Sequence, residues 1–157
     1  VTEPPAQTRK VDAPLSTEQA RLNWLTPLRL VRDGRPLAAQ AVTAQDLLGG
    51  LLRRANLLVQ YHGLPGPEPA MPVLSAWVRQ ARLEACALHF DDGERYSARQ
   101  EKTVPLGGLM GTVDLDVAST AAFWPLLQLG TQLQVGKGTV QGLGCFELNA
   151  VTGTHGT

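Results

Sequence analysis

Apolar and polar residues alternate across residues 22–31, which indicates a β-strand. Turn-forming residues at positions 33–36 end this strand. Further along, apolar residues recur every three or four positions, and this spacing predicts an α-helix that begins near Thr43 and ends at Gly63. The apolar stripe of the helix comprises Leu47, Leu48, Leu51, Leu52, Ala55, Leu58, Val59 and His62.

The middle of the chain predicts a short helix and two further extended segments. The helix covers residues 73–82, and residues 84–90 alternate as a strand. A turn signal follows at residues 91–93. We then predict one long strand over residues 95–117, interrupted near residues 105–108.

The C-terminal part predicts a second helix and a last strand. The helix begins at Ser119 or Thr120, whose hydroxyls can cap it, and Pro125 lies near its first turn. A glycine-rich connection then leads to a strand over residues 145–151. The order strand, helix, strand, strand, helix, strand matches two split β-α-β units. We therefore predict an α+β, ferredoxin-like (RRM-like) fold, in which two helices cover one face of an antiparallel sheet.

The composition is that of a soluble globular domain, with 43% hydrophobic and 18% charged residues. The sequence has neither a membrane-spanning apolar run nor a signal-peptide pattern, so we expect a cytoplasmic protein with no membrane partner. We divide the chain into a linker or remnant of a missing upstream domain (1–20), a ferredoxin-like domain (21–152) and a tail (153–157). A start at Val1 rather than Met is typical of a fragment.

The charge is formally zero, from 14 basic and 14 acidic residues. This balance speaks against nucleic-acid binding by the whole surface but leaves room for a local basic patch. The histidines and cysteines lack the spacing of metal ligands, so we expect no metal and no other cofactor. Cys86 and Cys145 are interpreted as free thiols. Asp114 and Asp116 share one face of a predicted strand, where we interpret them as a solvated edge.

The densest chemical signal is the run Gly136-Lys137-Gly138-Thr139-Val140-Gln141-Gly142-Leu143-Gly144. Glycines permit positive φ and a close approach of backbone to ligand. Consecutive exposed N–H groups in such a loop, together with Lys137, predict a site for an anion such as phosphate. The run lacks the spacing of a nucleotide P-loop, and a strand rather than a helix follows it. A plain connection between a helix and a strand is the alternative.

In its context this run resembles the C-terminal signature of the RAMP superfamily of CRISPR-associated proteins. The segment Phe123-Trp124-Pro125-Leu126-Leu127-Gln128-Leu129-Gly130 precedes it, and three earlier segments resemble the same family in the same order. They are Thr26-Pro27-Leu28-Arg29-Leu30 with Gly34-Arg35-Pro36-Leu37, Leu51-Leu52-Arg53-Arg54 running to Tyr61-His62-Gly63, and Arg95-Tyr96-Ser97-Ala98-Arg99-Gln100 leading to Leu106-Gly107-Gly108-Leu109-Met110-Gly111. The resemblance is strongest to the endoribonucleases that cut precursor CRISPR RNA within its repeats.

The resemblance implies the same fold and a metal-independent cleavage that leaves a 2′,3′-cyclic phosphate. It also implies that RNA meets two regions, the glycine loop and the hairpin formed at the turn of residues 91–93. Their candidate RNA-binding residues are Gly136, Lys137, Gly138, Thr139, Gly142 and Gly144 in the loop, and Arg95, Tyr96, Arg99, Gln100 and Lys102 in the hairpin. The implied partners are CRISPR repeat RNA, an N-terminal RAMP domain of the same protein, and a second copy or a CRISPR effector complex.

Several interpretations stay open. His62 is the candidate general acid or base, although a histidine that stabilises the end of a helix is the favoured alternative. His89 faces away from the apolar side of its strand. The cations of the hairpin have acidic neighbours, so a hairpin with internal salt bridges is the alternative to RNA binding. Arg53 and Arg54 are interpreted as part of a solvated helix face or of a surface toward the missing domain. A non-catalytic RAMP subunit that binds guide RNA and a protein-interaction domain without an RNA role are the other functions considered.

Overall fold

The computed structural model describes residues 14, 17–63, 71–92, 94–97, 102–105 and 107–152. Within these residues the chain forms strands and helices that follow each other in a regular order. The strands are β1 (Glu18–Trp24), β2 (Val31–Arg32), β3 (Arg35–Pro36), β4 (Leu83–Asp91), β5 (Glu94–Ser97), β6 (Lys102–Pro105), β7 (Gly108–Leu115) and β8 (Phe146–Thr152). The helices are α1 (Ala44–His62), α2 (Met71–Val78) and α3 (Val117–Leu133).

Four of the strands form one antiparallel sheet in the order β4–β7–β1–β8. Leu22 of β1 pairs with Val113 of β7 on one side and with Leu148 of β8 on the other, so three apolar side chains lie together on one face. The buried residues of α1 and α3 join the same core. This strand order with helices on one face is the ferredoxin-like arrangement, and the predicted fold class is confirmed.

The first strand begins earlier than the sequence predicted. β1 starts at Glu18, and both Gln19 and Ala20 are buried. The N–H of Ala20 donates to Oγ1 of Thr120 over 2.7 Å, so these residues are tied into the domain. The polar composition of residues 1–20 concealed this strand, because ladder hydrogen bonds use the backbone and do not require apolar side chains.

The first strand also ends earlier, at Trp24. The chain then leaves the ladder, and Leu28 makes an isolated bridge to Leu109, with N–H to carbonyl distances of 2.8 Å in both directions. The predicted turn is confirmed in the β2–β3 hairpin, where Asp33 and Gly34 have φ of 53° and 76°. An Asp-Gly pair suits this two-residue turn because both positions need positive φ.

The helix α1 has the predicted caps at Thr43 and Gly63. The hydroxyl of Thr43 accepts from the N–H of Asp46, and the carboxylate of Asp46 accepts from the N–H of Thr43, which forms a capping box. Arg32 of the β2–β3 hairpin binds the same carboxylate. Burial alone would raise the pKa of Asp46, but the hydrogen bonds from Arg32 and Thr43 outweigh it and hold that pKa below its ordinary value.

The second predicted helix starts earlier than the sequence indicated. Asp116, rather than Ser119 or Thr120, caps α3, and its carboxylate accepts from the N–H of Ser119 over 2.7 Å. The two hydroxyls cannot cap the helix because both are buried and accept from backbone N–H groups outside α3. Pro125 consequently lies inside the helix and not in its first turn. Its missing N–H removes one hydrogen-bond donor from the helix.

The prediction of one long strand over residues 95–117 is wrong. The chain reverses between β5 and β6, and Ser97 pairs with Lys102 across the resulting hairpin. Only the interruption near residues 105–108 is confirmed, since β6 ends at Pro105 and β7 begins at Gly108. Alternation in the sequence cannot distinguish a continued strand from a reversed one when the turn between them lacks a clear signal.

We expect Asp46→Asn to lower the free energy of unfolding by about 1 kcal/mol at pH 7, because the amide keeps an acceptor but loses the charge that Arg32 binds. The folded-state pKa of Asp46 is depressed. Its stabilising contribution is therefore present above the unfolded value of about 4 and is lost as the pH falls through the lower folded value. The stability difference between the two proteins should narrow below about pH 4.

Denaturant unfolding at neutral and acidic pH measures this difference. Glu84→Gln removes an exposed carboxylate from β4 and is the matched control, for which no such narrowing is expected. A stability difference for Asp46→Asn that stays constant down to acidic pH would contradict the contribution assigned to this ion pair.

Candidate nucleic-acid interface

The C-terminal loop adopts a backbone conformation that depends on its glycines. Gly136, Gly138, Gly142 and Gly144 have φ of +93°, +80°, +90° and +79°. A Cβ at position 144 would lie 1.8 Å from the carbonyl oxygen of Val135, and one at position 136 would lie 2.3 Å from that of Arg29. These two positions exclude any side chain, because the backbone passes directly against another carbonyl.

The loop is docked by its backbone onto residues 26–29. The N–H of Lys137 donates to the carbonyl of Arg29 over 2.8 Å, and the N–H of Gly144 donates to the carbonyl of Pro27 over 2.9 Å. Both ends of the loop are therefore fixed to the segment that connects β1 with β2. The sequence presents these two segments more than a hundred positions apart, but the fold makes them one unit.

Thr26 fastens the C-terminal end of the loop with its side chain. Its hydroxyl donates to the carbonyl of Gly142 over 2.7 Å and accepts from the N–H of Cys145 over 2.9 Å. The strand β8 begins directly after Cys145. The hydroxyl thus connects the loop to the start of the last strand, and an apolar residue at position 26 would leave both backbone groups without this partner.

The backbone N–H groups of the loop are mostly used within the protein. Five of them donate to protein acceptors, namely those of Lys137, Gln141, Gly142, Leu143 and Gly144. The prediction that consecutive N–H groups of the loop face a ligand is wrong for these residues. What the loop offers instead is the exposed side chain of Lys137, a mobile ammonium that can contact a phosphate as a point charge.

An open cavity of about 320 Å³ lies beside Lys137. Its apolar lining includes Leu28, Leu30, Pro36, Leu37, Phe90 and Leu109. Its charged lining residues are Arg29, Asp92 and Lys137. The cavity therefore combines an apolar surface with side chains of both charge signs, a combination that suits a ligand with both apolar and polar groups.

Phe90 in this lining is 66% exposed, although its side chain is large and apolar. It pairs with Leu109, which is only 2% exposed, so both face the side of the sheet that carries the helices. Since β4 is the edge strand, the helix layer does not reach over Phe90. An aromatic ring that stays exposed does not contribute the free energy that its burial would give to folding. Exposed apolar surface of this kind commonly marks a binding site.

The β5–β6 hairpin extends from the end of the sheet where β4 ends and β7 begins. β5 begins two positions after Asp92, and β6 ends two positions before Gly107. Both Asp92 and Gly107 line the cavity. The base of the hairpin and the docked glycine loop are therefore next to one cavity, so the fold brings together the two regions that the sequence predicted to meet RNA.

The predicted RNA-binding residues of the hairpin do not all lie on one strand. Arg95 and Tyr96 lie in β5, and Lys102 lies in β6 on the opposite strand. The two remaining candidates, Arg99 and Gln100, lie outside the described residues. Ser97 at the end of β5 pairs with Lys102 at the start of β6, so Lys102 does not continue the segment that carries Arg95.

His62 is not brought to this cavity. It is the last residue of α1, and its side chain is exposed. The first turn of α1 contacts the β2–β3 hairpin through Asp46 and Arg32, and Pro36 of that hairpin lines the cavity. The helix from position 46 to position 62 spans about 24 Å. His89 is also exposed and belongs to the sheet face opposite the helices.

Other predicted charged sites serve the fold. The expectation of a solvated edge is wrong for Asp114, which is 8% exposed and accepts two hydrogen bonds of 2.8 and 2.9 Å from Arg21. Arg54 donates to the carbonyl of Leu133 at the end of α3, whereas Arg53 is exposed. Within the described residues we find no group of three or more potential metal ligands, and no helix long and apolar enough to cross a membrane.

Neither the cavity nor the exposed ring was predicted from the sequence. Apolar residues at positions 28, 30 and 90 have the pattern of core residues, and only the edge position of β4 separates Phe90 from the helix layer. The pair Gly107-Gly108 was one feature of the sequence that could have indicated this site. A Cβ at position 107 would lie 3.3 Å from the Phe90 ring, and one at position 108 would lie 2.8 Å from the carbonyl oxygen of Leu28, so small residues keep this site open.

The ferredoxin-like sheet, with a glycine-rich loop docked before its last strand, is the arrangement of a RAMP-type CRISPR-associated protein. A family model described as CRISPR-associated endoribonuclease Cas6 matches residues 22–146. The chain therefore belongs to the Cas6 family, and the resemblance drawn from the sequence is confirmed. No significant match was found among curated proteins.

Solved structures agree on the fold. A chain of the partial Cas6-RT-Cas1–Cas2 complex matches with a TM-score of 0.61 and 17% identity, over 88% of this chain and 24% of that one. Thermus thermophilus Cas6 (TTHB231) matches with a TM-score of 0.56 and 18% identity, over 87% of this chain and 55% of that one. The Cas6 (TTHA0078) product complex matches with a TM-score of 0.54 and 21% identity, over 87% of this chain and 52% of that one. The present chain thus spans about half the length of the latter two proteins.

We expect Gly144→Ala to lower the free energy of unfolding more than Gly142→Ala does, because only position 144 combines backbone strain with a steric overlap. Both positions have positive φ, but a Cβ at position 142 would meet open space, whereas one at position 144 would overlap the carbonyl of Val135. Gly142→Ala should therefore cost about 1–2 kcal/mol of unfolding free energy, and Gly144→Ala more than about 3 kcal/mol. Denaturant unfolding of the two variants measures this, and equal losses would contradict the docking of the loop described above.

Proposed function

We propose that this chain is the RNA-holding part of an endoribonuclease that processes precursor CRISPR RNA within its repeats. Membership of the Cas6 family supports this function. The observation that carries it is the docked loop, which holds Lys137 beside a cavity at the base of the β5–β6 hairpin. A cation on a fixed backbone, an uncovered ring and a hairpin with further cations form a surface suited to single-stranded RNA.

In this proposal, phosphate contacts supply most of the affinity. Lys137 from the loop, and Arg95, Arg99 and Lys102 from the hairpin, are the proposed cations, and Tyr96 is proposed to stack on a base. The remaining loop candidates, Gly136, Gly138, Thr139, Gly142 and Gly144, act through the shape that they give to the loop. The net charge of zero means that attraction must come from this local patch, so binding should weaken steeply with salt.

Cleavage in this proposal uses no metal. Attack of a ribose 2′-oxygen on the neighbouring phosphate needs a base that accepts the 2′-OH proton and an acid that protonates the 5′-oxygen leaving group. His62 is the predicted acid or base of this chain, but its place at the exposed end of α1 favours stabilisation of the helix terminus. We therefore assign the catalytic groups to another part of the whole protein, for which an N-terminal RAMP domain is the proposed source.

A non-catalytic RAMP subunit that binds guide RNA is the second candidate. The observation in its favour is that neither His62 nor His89 lies among the residues that line the cavity. Both candidates use the same RNA surface, and they differ in whether the RNA is cut. A second copy of the chain or a CRISPR effector complex would be the partner in this case.

We expect Lys137→Ala to weaken binding of an oligoribonucleotide of the CRISPR repeat from the same genome by about three- to tenfold, because one phosphate contact is lost. The slope of log K against log salt should fall by about 1. Filter binding or anisotropy across a salt series measures both quantities.

Arg53→Ala is the matched control for this test, since it removes an exposed cation from α1 and should leave both the affinity and the slope unchanged. Lys137→Arg keeps the charge and should bind within about twofold of the wild type. An unchanged slope for Lys137→Ala would remove the loop from the proposed RNA surface.

We expect the whole protein to cut the repeat RNA at one position in the presence of EDTA, and His62→Ala to cut at a rate within about threefold of the wild type. Denaturing gels of end-labelled RNA measure the rate. A loss of about a hundredfold or more in His62→Ala would place this histidine in catalysis, and RNA binding without any cut would favour the non-catalytic subunit.

A further inference from the structure

The cavity beside Lys137 has the chemistry of a nucleotide subsite. Phe90 presents a ring that is 66% exposed, and buried leucines at positions 28 and 109 extend the apolar surface next to it. Lys137 lines the same cavity, on a loop whose backbone is fixed at both ends. A nucleotide has the matching pair of features, because its base has two apolar faces and its phosphate carries a negative charge.

We propose that this cavity receives one unstacked base of the bound RNA, which stacks on Phe90 while an adjoining phosphate contacts Lys137. The inference rests on the proposed function and specifies which part of the RNA the cavity holds. Sequence-specific RNA recognition commonly targets unpaired bases, which stack on aromatic side chains and are read at their polar edges. A cavity of about 320 Å³ lies within the usual range for sites that enclose small ligand groups.

Asp92 gives this cavity a preference among bases. It is exposed, it lines the cavity, and its ionised carboxylate can only accept hydrogen bonds. Cytosine, adenine and guanine each offer an exocyclic amino group to such an acceptor, whereas uracil has no amino group and offers only its ring N3–H. The subsite should therefore favour a base with an amino group over uracil.

The charges next to the apolar lining select RNA over an apolar peptide side chain as the occupant. A peptide side chain could cover Phe90, but it would leave Lys137 without an anion and would not use the hairpin base at Asp92 and Gly107. A nucleotide can contact the ring, the lysine and the carboxylate together. The same cavity borders both regions of the proposed RNA surface, so an RNA strand that passes from the loop to the hairpin would cross it.

The experiment combines protein variants with modified RNA. The whole protein and its Phe90→Ala variant are titrated with the repeat oligoribonucleotide of the same genome, and with a set of copies that each lack the base at one unpaired position. Leu57→Ala is the matched control, because it removes a side chain that is 51% exposed on α1. Phe90→Trp keeps a stacking ring, and it should bind at least as tightly as the wild type.

We expect Phe90→Ala to bind the intact RNA about tenfold more weakly, as one lost stacking contact requires, and Leu57→Ala to bind like the wild type. One abasic position should weaken wild-type binding by a similar factor and should have no further effect in Phe90→Ala. Uracil at that position should bind about fivefold more weakly than the native base, and Asp92→Ala, which removes the acceptor, should remove this difference.

Equal effects of every abasic position in the wild type and in Phe90→Ala would overturn the inference, and so would an unchanged affinity of Phe90→Ala. In both cases a loss of affinity in Lys137→Ala would leave the proposed function standing. If Lys137→Ala also bound the repeat RNA like the wild type, the proposed function would fail together with the subsite. Loss of binding by both Phe90→Ala and Phe90→Trp would indicate a packing role for this ring and would also overturn base stacking.

Discussion

Backbone docking of the glycine loop onto residues 26–29 is the interaction on which the site depends. Gly144 makes it possible, because any Cβ there would overlap the carbonyl of Val135 while its N–H reaches the carbonyl of Pro27. The docking joins the end of the first sheet strand to the start of the last one, which are themselves paired neighbours. Lys137 is thereby held by a rigid support, so its charge is positioned at little cost in backbone entropy when a ligand binds.

The formal neutrality of the chain conceals how its charges are distributed. Arg21 and Arg32 are paired with carboxylates, and Arg54 is bound to a carbonyl at the end of α3, so these cations stabilise the fold. Lys137 is exposed on the docked loop beside the cavity. The net charge sums both kinds of residue and therefore cannot reveal a local basic surface. This is why a protein with equal numbers of acids and bases remains compatible with RNA binding.

Periodicity was sufficient to predict the fold class, the α1 helix with both of its caps, and the Asp33-Gly34 turn, because each depends on local spacing or turn chemistry. It failed where long-range pairing decides the outcome. The strand at Glu18 exists because β8 pairs with it, and the reversal after Ser97 exists because β6 pairs back onto β5. The family signature located the loop, but the exposure of Phe90 depends on its place near the end of an edge strand, which no local pattern encodes.

Photo-crosslinking of the CRISPR repeat RNA to the whole protein, with the crosslinked peptides identified by mass spectrometry, tests whether the loop, the cavity and the hairpin form one RNA surface. The structure predicts crosslinks in the peptides that contain Phe90, Lys137 and the strands β5 and β6. Crosslinks confined to the peptides of α1 and α2 would contradict this surface.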